Sequence, residues 1–274
     1  MSNITIDKNW AMALNVLARM AGGNSFHTAY IWSQRPGIGK TWAAYQTAKK
    51  YYALTMTPET PASELRGFYM PEGGEFKWTD GVIIKAMREG SRAVINEVSH
   101  AGPDVLAFLH PILESAGTCR ITLPTGETVV AAKGFHVVGT DNNAPQDLPE
   151  ALASRWNIKL NLETYSPGGL AGLQDRTRGW AQRSEIAGQD GRWVSLRDWY
   201  TIESAVSQGF SLSDACWMCF GAEMGEMVYS SIKAADVQAE HIKGIKDLKS
   251  SAGLLNGDEE LEGVEANAPE EVVS

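Results

Sequence analysis

The sequence predicts an α/β protein: a parallel five-stranded sheet between helices, followed by a small helical domain. Three observations predict it. Apolar runs of strand length alternate with helix-patterned spans from His27 to Glu163, the signature of a parallel sheet covered on both faces. A glycine-rich turn, Pro36-Gly37-Ile38-Gly39-Lys40-Thr41, joins a strand to a helix. After Pro167-Gly168-Gly169 the strand pattern stops, and residues 170–250 read as helical.

Each element follows from local pattern. Lys8 to Ala21 places Trp10, Leu14, Leu17 and Met20 at helical spacing, and Gly22-Gly23 ends that helix. His27 to Ser33 is the first strand. Lys40 to Lys50 reads as a helix, and Tyr51 to Thr57 as the second strand. Phe68 to Trp78, rich in glycine and aromatics, reads as a hairpin or loop insertion. Gly81 to Gly90 is helical, Ser91 to Glu97 is the third strand, and Asp104 to Ala116 is an amphipathic helix. Arg120 to Ala132 alternates around Pro124-Thr125-Gly126, a hairpin signal. Gly134 to Thr140 is the fourth strand, Leu148 to Ser154 a short helix, and Asn157 to Glu163 the fifth strand. The expected organisation is a core over 1–166, a helical lid over 167–250 and an acidic tail over 251–274.

Composition sets bounds. Apolar residues make up 43% and charged residues 21% of the 274, as in ordinary globular proteins. No apolar run approaches the ~20 residues of a membrane helix, and the N-terminus does not read as a signal peptide, so no membrane insertion is expected. Three cysteines, Cys119, Cys216 and Cys219, argue against a disulfide framework and suit a reducing cytoplasm. The net charge of −9 is concentrated in Asp258, Glu259, Glu260, Glu262, Glu265, Glu270 and Glu271, so the remainder is nearly neutral. The tail lacks the large apolar residues needed to offset ordering and reads as disordered. A near-neutral core without a Lys/Arg cluster in its insertions argues against nucleic acid as a partner.

The chemistry begins at Pro36 to Thr41. Glycines let backbone N–H groups turn inward around an anion, and the following helix N-terminus adds its positive end. Lys40 would reach the β- and γ-phosphates of ATP, and the Thr41 hydroxyl would ligate Mg²⁺. Gln34 stands where the full motif has its first glycine. Next, Ala93-Val94-Ile95-Asn96-Glu97 is a buried strand ending in a polar pair. Glu97 suits the residue that polarises an attacking water. Asn96 takes the metal-side position with a neutral amide where an aspartate is usual. Thr140-Asp141-Asn142-Asn143 follows the fourth strand; an amide there could orient the water, but the run is also ordinary turn chemistry. Leu148 to Trp156 carries Arg155, which by itself reads as a surface charge. Cys216-Trp217-Met218-Cys219 has no second pair and reads as a packed helix face.

In this order these pieces resemble the AAA+ ATPases, more closely the MoxR family, and most closely its CbbQ/NorQ branch. Ser63-Glu64-Leu65-Arg66-Gly67, Trp78-Thr79-Asp80-Gly81, Asn96-Glu97-Val98 through Leu109-His110-Pro111-Ile112-Leu113, and Leu148 to Trp156 are similar to that branch. The resemblance implies a P-loop AAA+ core with a helical lid. It implies Walker A at Gly37, Gly39, Lys40 and Thr41, with Pro36, Ile38 and Trp42 beside them at the nucleotide. Walker B would be Asn96 and Glu97, sensor 1 Asn142, and the arginine finger Arg155, reaching a neighbouring subunit's ATP rather than folding back. Arg197 would be the sensor-2 residue, although an exposed arginine beside a Ser195 helix cap reads equally well. The hairpins at 68–78 and 120–132 would be the insertions that line a pore or contact clients.

A trans-acting arginine requires a head-to-tail ring, and the resemblance implies a hexamer. Three functions remain open: a motor that remodels or activates a protein client, with a von Willebrand A domain partner; a nucleotide-stabilised ring scaffold with weak hydrolysis; and an AAA+ factor acting on nucleic acid.

Overall fold

The computed structural model describes residues 7–23, 26–115, 117–187 and 193–251. The acidic-tail expectation over 251–274 falls, apart from Ser251, outside the described residues. The chain divides into two compact units, Met1–Tyr229 and Ser230–Ser274. All nine strands among the described residues lie in the first.

Helix α1 (Lys8–Ala21) is capped by the Asp7 carboxylate, which accepts from the Asn9 amide at 2.7 Å, and it buries Trp10, Ala13, Leu17 and Met20. The sheet contains β1 (Thr28–Trp32), β2 (Tyr51–Thr55), β5 (Arg92–Asn96), β8 (His136–Asp141) and β9 (Ile158–Asn161). Their order is β2-β5-β8-β1-β9, and every pairing is parallel. Every residue of β5 and β8 is buried, as helices on both faces require. Helices α2 (Lys40–Tyr45), α3 (Ala62–Arg66), α4 (Val82–Glu89), α5 (Pro103–Ile112) and α6 (Glu150–Ala153) join the strands. A core of Leu65, Ile84, Met87, Leu109, Val137 and Trp156 packs between sheet and helices.

Helix α2 stops at Tyr45, five residues before the expected end at Lys50. The cause is Arg92, a fully buried residue at the start of β5. Its Nη1 donates to the carbonyls of Ala44 (2.7 Å) and Gln46 (2.8 Å), and its Nη2 to that of Leu17 (2.8 Å). Thr47 turns to φ 67 to present this end. Arg92 Nε donates to His136 Nε2 at 2.9 Å, so the His136 proton sits on Nδ1 and is donated to Gly134 O at 2.7 Å. Burial, helped by the nearby Arg92 charge, pushes the His136 pKa down to about 4. Helix α5 likewise ends early, at Ile112 instead of Ala116, and Ala116 lies outside the described residues.

Two antiparallel hairpins leave the core. Strands β3 (Gly67–Glu72) and β4 (Glu75–Asp80) turn at Gly73-Gly74 and expose Phe68, Tyr69, Met70 and Phe76, the last to 74%. Strands β6 (Arg120–Thr122) and β7 (Thr128–Val130) form the second. Arg88 on α4 bridges them, donating to Asp80 at 2.7 Å and, through two nitrogens, to Glu127 at 2.6 and 2.8 Å.

After β9 the described residues are helical: α7 (Pro167–Ala171), α8 (Asp175–Ala187), α9 (Leu196–Ser207) and α10 (Leu212–Ser251), the last broken at Gly221 (φ 75, ψ −178). Ser195 and Asp198 form a reciprocal cap on α9. Cys216 is buried in α10 and Cys219 half-buried, and burial pushes the Cys216 thiol up to about 11. No described helix is long and apolar enough to cross a membrane.

Candidate functional site

Parallel sheets put their ligand crevices outside the carboxyl ends of the strands. Here β1, β5 and β8 end side by side, with Trp32 paired to Asp141 and Asn96 to Thr140. The segment from Ser33 to Gly39 leaves β1 and turns into α2. Ser33, buried, caps this turn by accepting from the Arg35 amide at 3.0 Å.

Lys40 opens α2 and is only 7% exposed. Its Nζ donates to Asn142 Oδ1 at 2.7 Å and to the Arg35 carbonyl at 3.3 Å. Asn142 Nδ2 donates onward to Glu97 Oε2 at 3.3 Å. Lysine, amide and carboxylate, from three separate segments, therefore form one chain. Desolvation lowers the Lys40 pKa to about 8, against the pull of Glu97 and Asp141; the Arg197 charge lowers it further. Arg197 lies on the first turn of α9, beside the Ser195 cap. Thr41 Oγ1 donates to Asn96 Oδ1 at 3.3 Å.

Glu97 adopts a left-handed backbone (φ 55, ψ 51), strained for a non-glycine residue. Asp141 holds the turn that follows it. This fully buried carboxylate accepts from the Ser99 amide (2.6 Å), the Ser99 hydroxyl (3.0 Å) and the Asn143 amide (2.9 Å). It ties the end of β8 to the end of β5, which sets the spacing between Asn142 and Glu97. Sequence reasoning passed over Asp141 inside the Thr140–Asn143 run. The available signal was an acid two residues after the apolar run Val137-Val138-Gly139 of a strand.

The helical part grips the loop from outside. The Ser166 amide donates to Ile38 O at 2.7 Å, the Leu196 amide to Gly37 O at 3.0 Å, and Trp193 Nε1 to Pro36 O at 2.8 Å. A Cβ at Gly37 would lie 2.6 Å from Ser195 Cβ, and one at Gly39 2.2 Å from Ser166 Oγ; both glycines also have positive φ. The Arg35 guanidinium lies 4.8 Å from the Trp193 ring centre, and that ring packs at 4.5 Å on Tyr165. Ser166, Trp193 and Ser195 were not among the residues expected at the site, because nothing local to them signals a loop more than 120 positions away.

Two expected residues have other partners in the single chain. Trp42 packs edge-on against Trp10 at 6.3 Å and covers Gly168. Arg155 is held within its own chain, against the segment that follows α5. It bonds to Glu114 Oε1 at 2.9–3.0 Å and to the Ala151 carbonyl.

The cluster joins a cation, an amide, a hydroxyl and a carboxylate at a helix N-terminus, a set that suits a polyphosphate with a hard cation and a water to be activated. Residues 35–156 match the family model described as AAA domain (dynein-related subfamily). The chain is similar to the protein NorQ of Paracoccus denitrificans, 36% identical over 123 residues, which are 42% of this chain and 44% of that protein. It is also similar to Midasin of Giardia intestinalis, 23% identical over 234 residues, covering 72% of this chain and 5% of that protein. Midasin of Dictyostelium discoideum is 26% identical over 151 residues, covering 50% of this chain and 2% of its own length. The chain thus spans less than half the length of these curated relatives.

Proposed function

We infer, from the AAA domain of dynein-related, MoxR-like type that this chain carries over residues 35–156, that it hydrolyses ATP and uses the energy to remodel or activate a protein client. The observation that supports this best is the Lys40–Asn142–Glu97 chain beside the Thr41–Asn96 contact. ATP fits by the chemistry of the donor set: Lys40 on the β- and γ-phosphates, and Arg197 near enough to add charge on the γ side. Mg²⁺ fits the oxygens of Thr41 and Asn96. When bound, the cation would neutralise charge building on the phosphate oxygens. Glu97 takes the proton of the attacking water, and Asn142 holds Glu97 and orients that water.

Arg155 completes a neighbouring subunit's site after leaving Glu114, which requires a head-to-tail ring, hexameric in the proposed form. The exposed aromatic tip of β3–β4 is a suitable client contact, and a von Willebrand A domain protein is the proposed partner. Glu97→Gln tests the core of this reading. It should bind ATP as the wild type does and lose at least about 100-fold in steady-state hydrolysis. Equal inactivity of both proteins despite ATP binding would sink the motor and favour the second reading, a nucleotide-stabilised ring scaffold. That reading draws on the neutral Asn96 and on Gln34.

A further inference from the structure

Asn96 stands at the metal side of the site, and its surroundings fix how its amide points. It is 5% exposed. Its Oδ1 accepts from the buried Thr140 hydroxyl at 2.8 Å and from the Thr41 hydroxyl at 3.3 Å. Its Nδ2 donates to the Tyr45 hydroxyl at 3.4 Å, and the Tyr45 ring is stacked on Tyr51 at 4.5 Å with 6° between planes. The oxygen thus faces two threonines and the nitrogen faces a phenol held in place by stacking.

A hydroxyl that offers its lone pair to a cation must give its proton to another acceptor. Asn96 Oδ1 is that acceptor for Thr41. A carboxylate would serve equally, and would add a negative charge and a second oxygen able to accept from cation-bound water. In this chain the second atom is an N–H donor committed to Tyr45, so both additions are missing. At short range one full charge outweighs one neutral hydrogen bond in holding a divalent ion.

We infer that Asn96, oriented by Thr140 and Tyr45, makes the metal side of this site neutral, so that nucleotide affinity depends little on Mg²⁺. The inference rests on the reading of residues 36–41 as an ATP site. The hydroxyls of Thr41, Thr140 and Tyr45 can all rotate to donate to a carboxylate, so Asn96→Asp restores the charge without a steric or hydrogen-bonding conflict.

The test is equilibrium binding of a fluorescent ATP analogue in excess Mg²⁺ and in excess EDTA, with thermal unfolding as the folding control. For the wild type, Kd should differ by less than about threefold between the two conditions; for Asn96→Asp it should be at least about tenfold tighter in Mg²⁺. Tyr45→Phe leaves Oδ1 on the two threonines and the amide neutral, so its Mg²⁺ ratio should stay at the wild-type value; a ratio raised to about tenfold would overturn the assignment of the weak Mg²⁺ dependence to the missing charge. A wild-type Kd tenfold tighter in Mg²⁺ overturns the inference and leaves ATP binding intact. A folded Asn96→Asp that keeps the wild-type ratio overturns the assignment to Asn96. Absence of binding in both conditions overturns the ATP site itself, and this inference with it.

Discussion

Lys40 holds an ammonium group in a nearly sealed position, and the cost of removing it from water appears as a pKa lowered to about 8. The unfolded chain binds this proton up to the ordinary lysine range near 10.5. Between those values the unfolded state therefore carries more protons, and stability gains as pH rises through about 8 to 10.5; below 8 the cost is present in full. Lys40→Met should stabilise the free chain at pH 7, by on the order of 1–3 kcal/mol in urea unfolding, while abolishing nucleotide binding. In the wild type, binding needs the protonated lysine. Affinity for ATP should accordingly weaken about tenfold between pH 7 and 9, and calorimetry at the two values checks it. A residue that destabilises the empty fold in this way is the expected signature of a site built for an anion.

Among the elements, Arg92 does the most joining. One buried guanidinium satisfies carbonyls from α1, the end of α2 and the residue after it, and bonds a neutral histidine on β8. It caps the carbonyls at the end of α2, the helix that Lys40 and Thr41 open. Arg92→Met should lower stability by about 3–5 kcal/mol in urea unfolding, because several buried acceptors lose their donor at once. The short α2 was not legible in the sequence. Residues 46–50 carry helix-compatible side chains, and the reason they leave the helix is an arginine more than 40 positions away. The hairpins were legible, since glycine turns and alternating side chains are local signals. The Arg88 bridge that couples them was not.

At the scale of the whole first unit, the phosphate loop is enclosed from two sides: by strand-end polar groups within, and by Ser166, Trp193, Ser195 and Leu196 without. Any motion of the helical part on nucleotide turnover therefore pulls directly on the loop backbone. In the proposed ring, a neighbouring subunit would supply the arginine that this chain keeps on Glu114. Arg155→Ala should bind ATP normally and lose at least about tenfold in hydrolysis. Mixing Arg155→Ala with Glu97→Gln, each impaired alone, should raise the rate above that of either, since some interfaces then pair an intact Glu97 with an intact Arg155. No recovery on mixing, with the assembly intact by light scattering, would mean that Arg155 does not act in trans.

The sequence by itself determined the alternation of strands and helices, the glycine-rich turn, and the candidates Lys40, Thr41, Asn96 and Glu97, because periodicity and motif spacing are written in neighbouring residues; Asn142 was singled out only by the family resemblance. The tertiary structure alone decided that Asn142 spans Lys40 and Glu97, that Asp141 fastens two strand ends, that Tyr45 and Thr140 orient Asn96, and that Arg155 rests on Glu114. Each of these joins residues that are dozens of positions apart. A hydrogen bond between them exists only once the sheet has set its strands in order, so no local pattern in the chain can announce it.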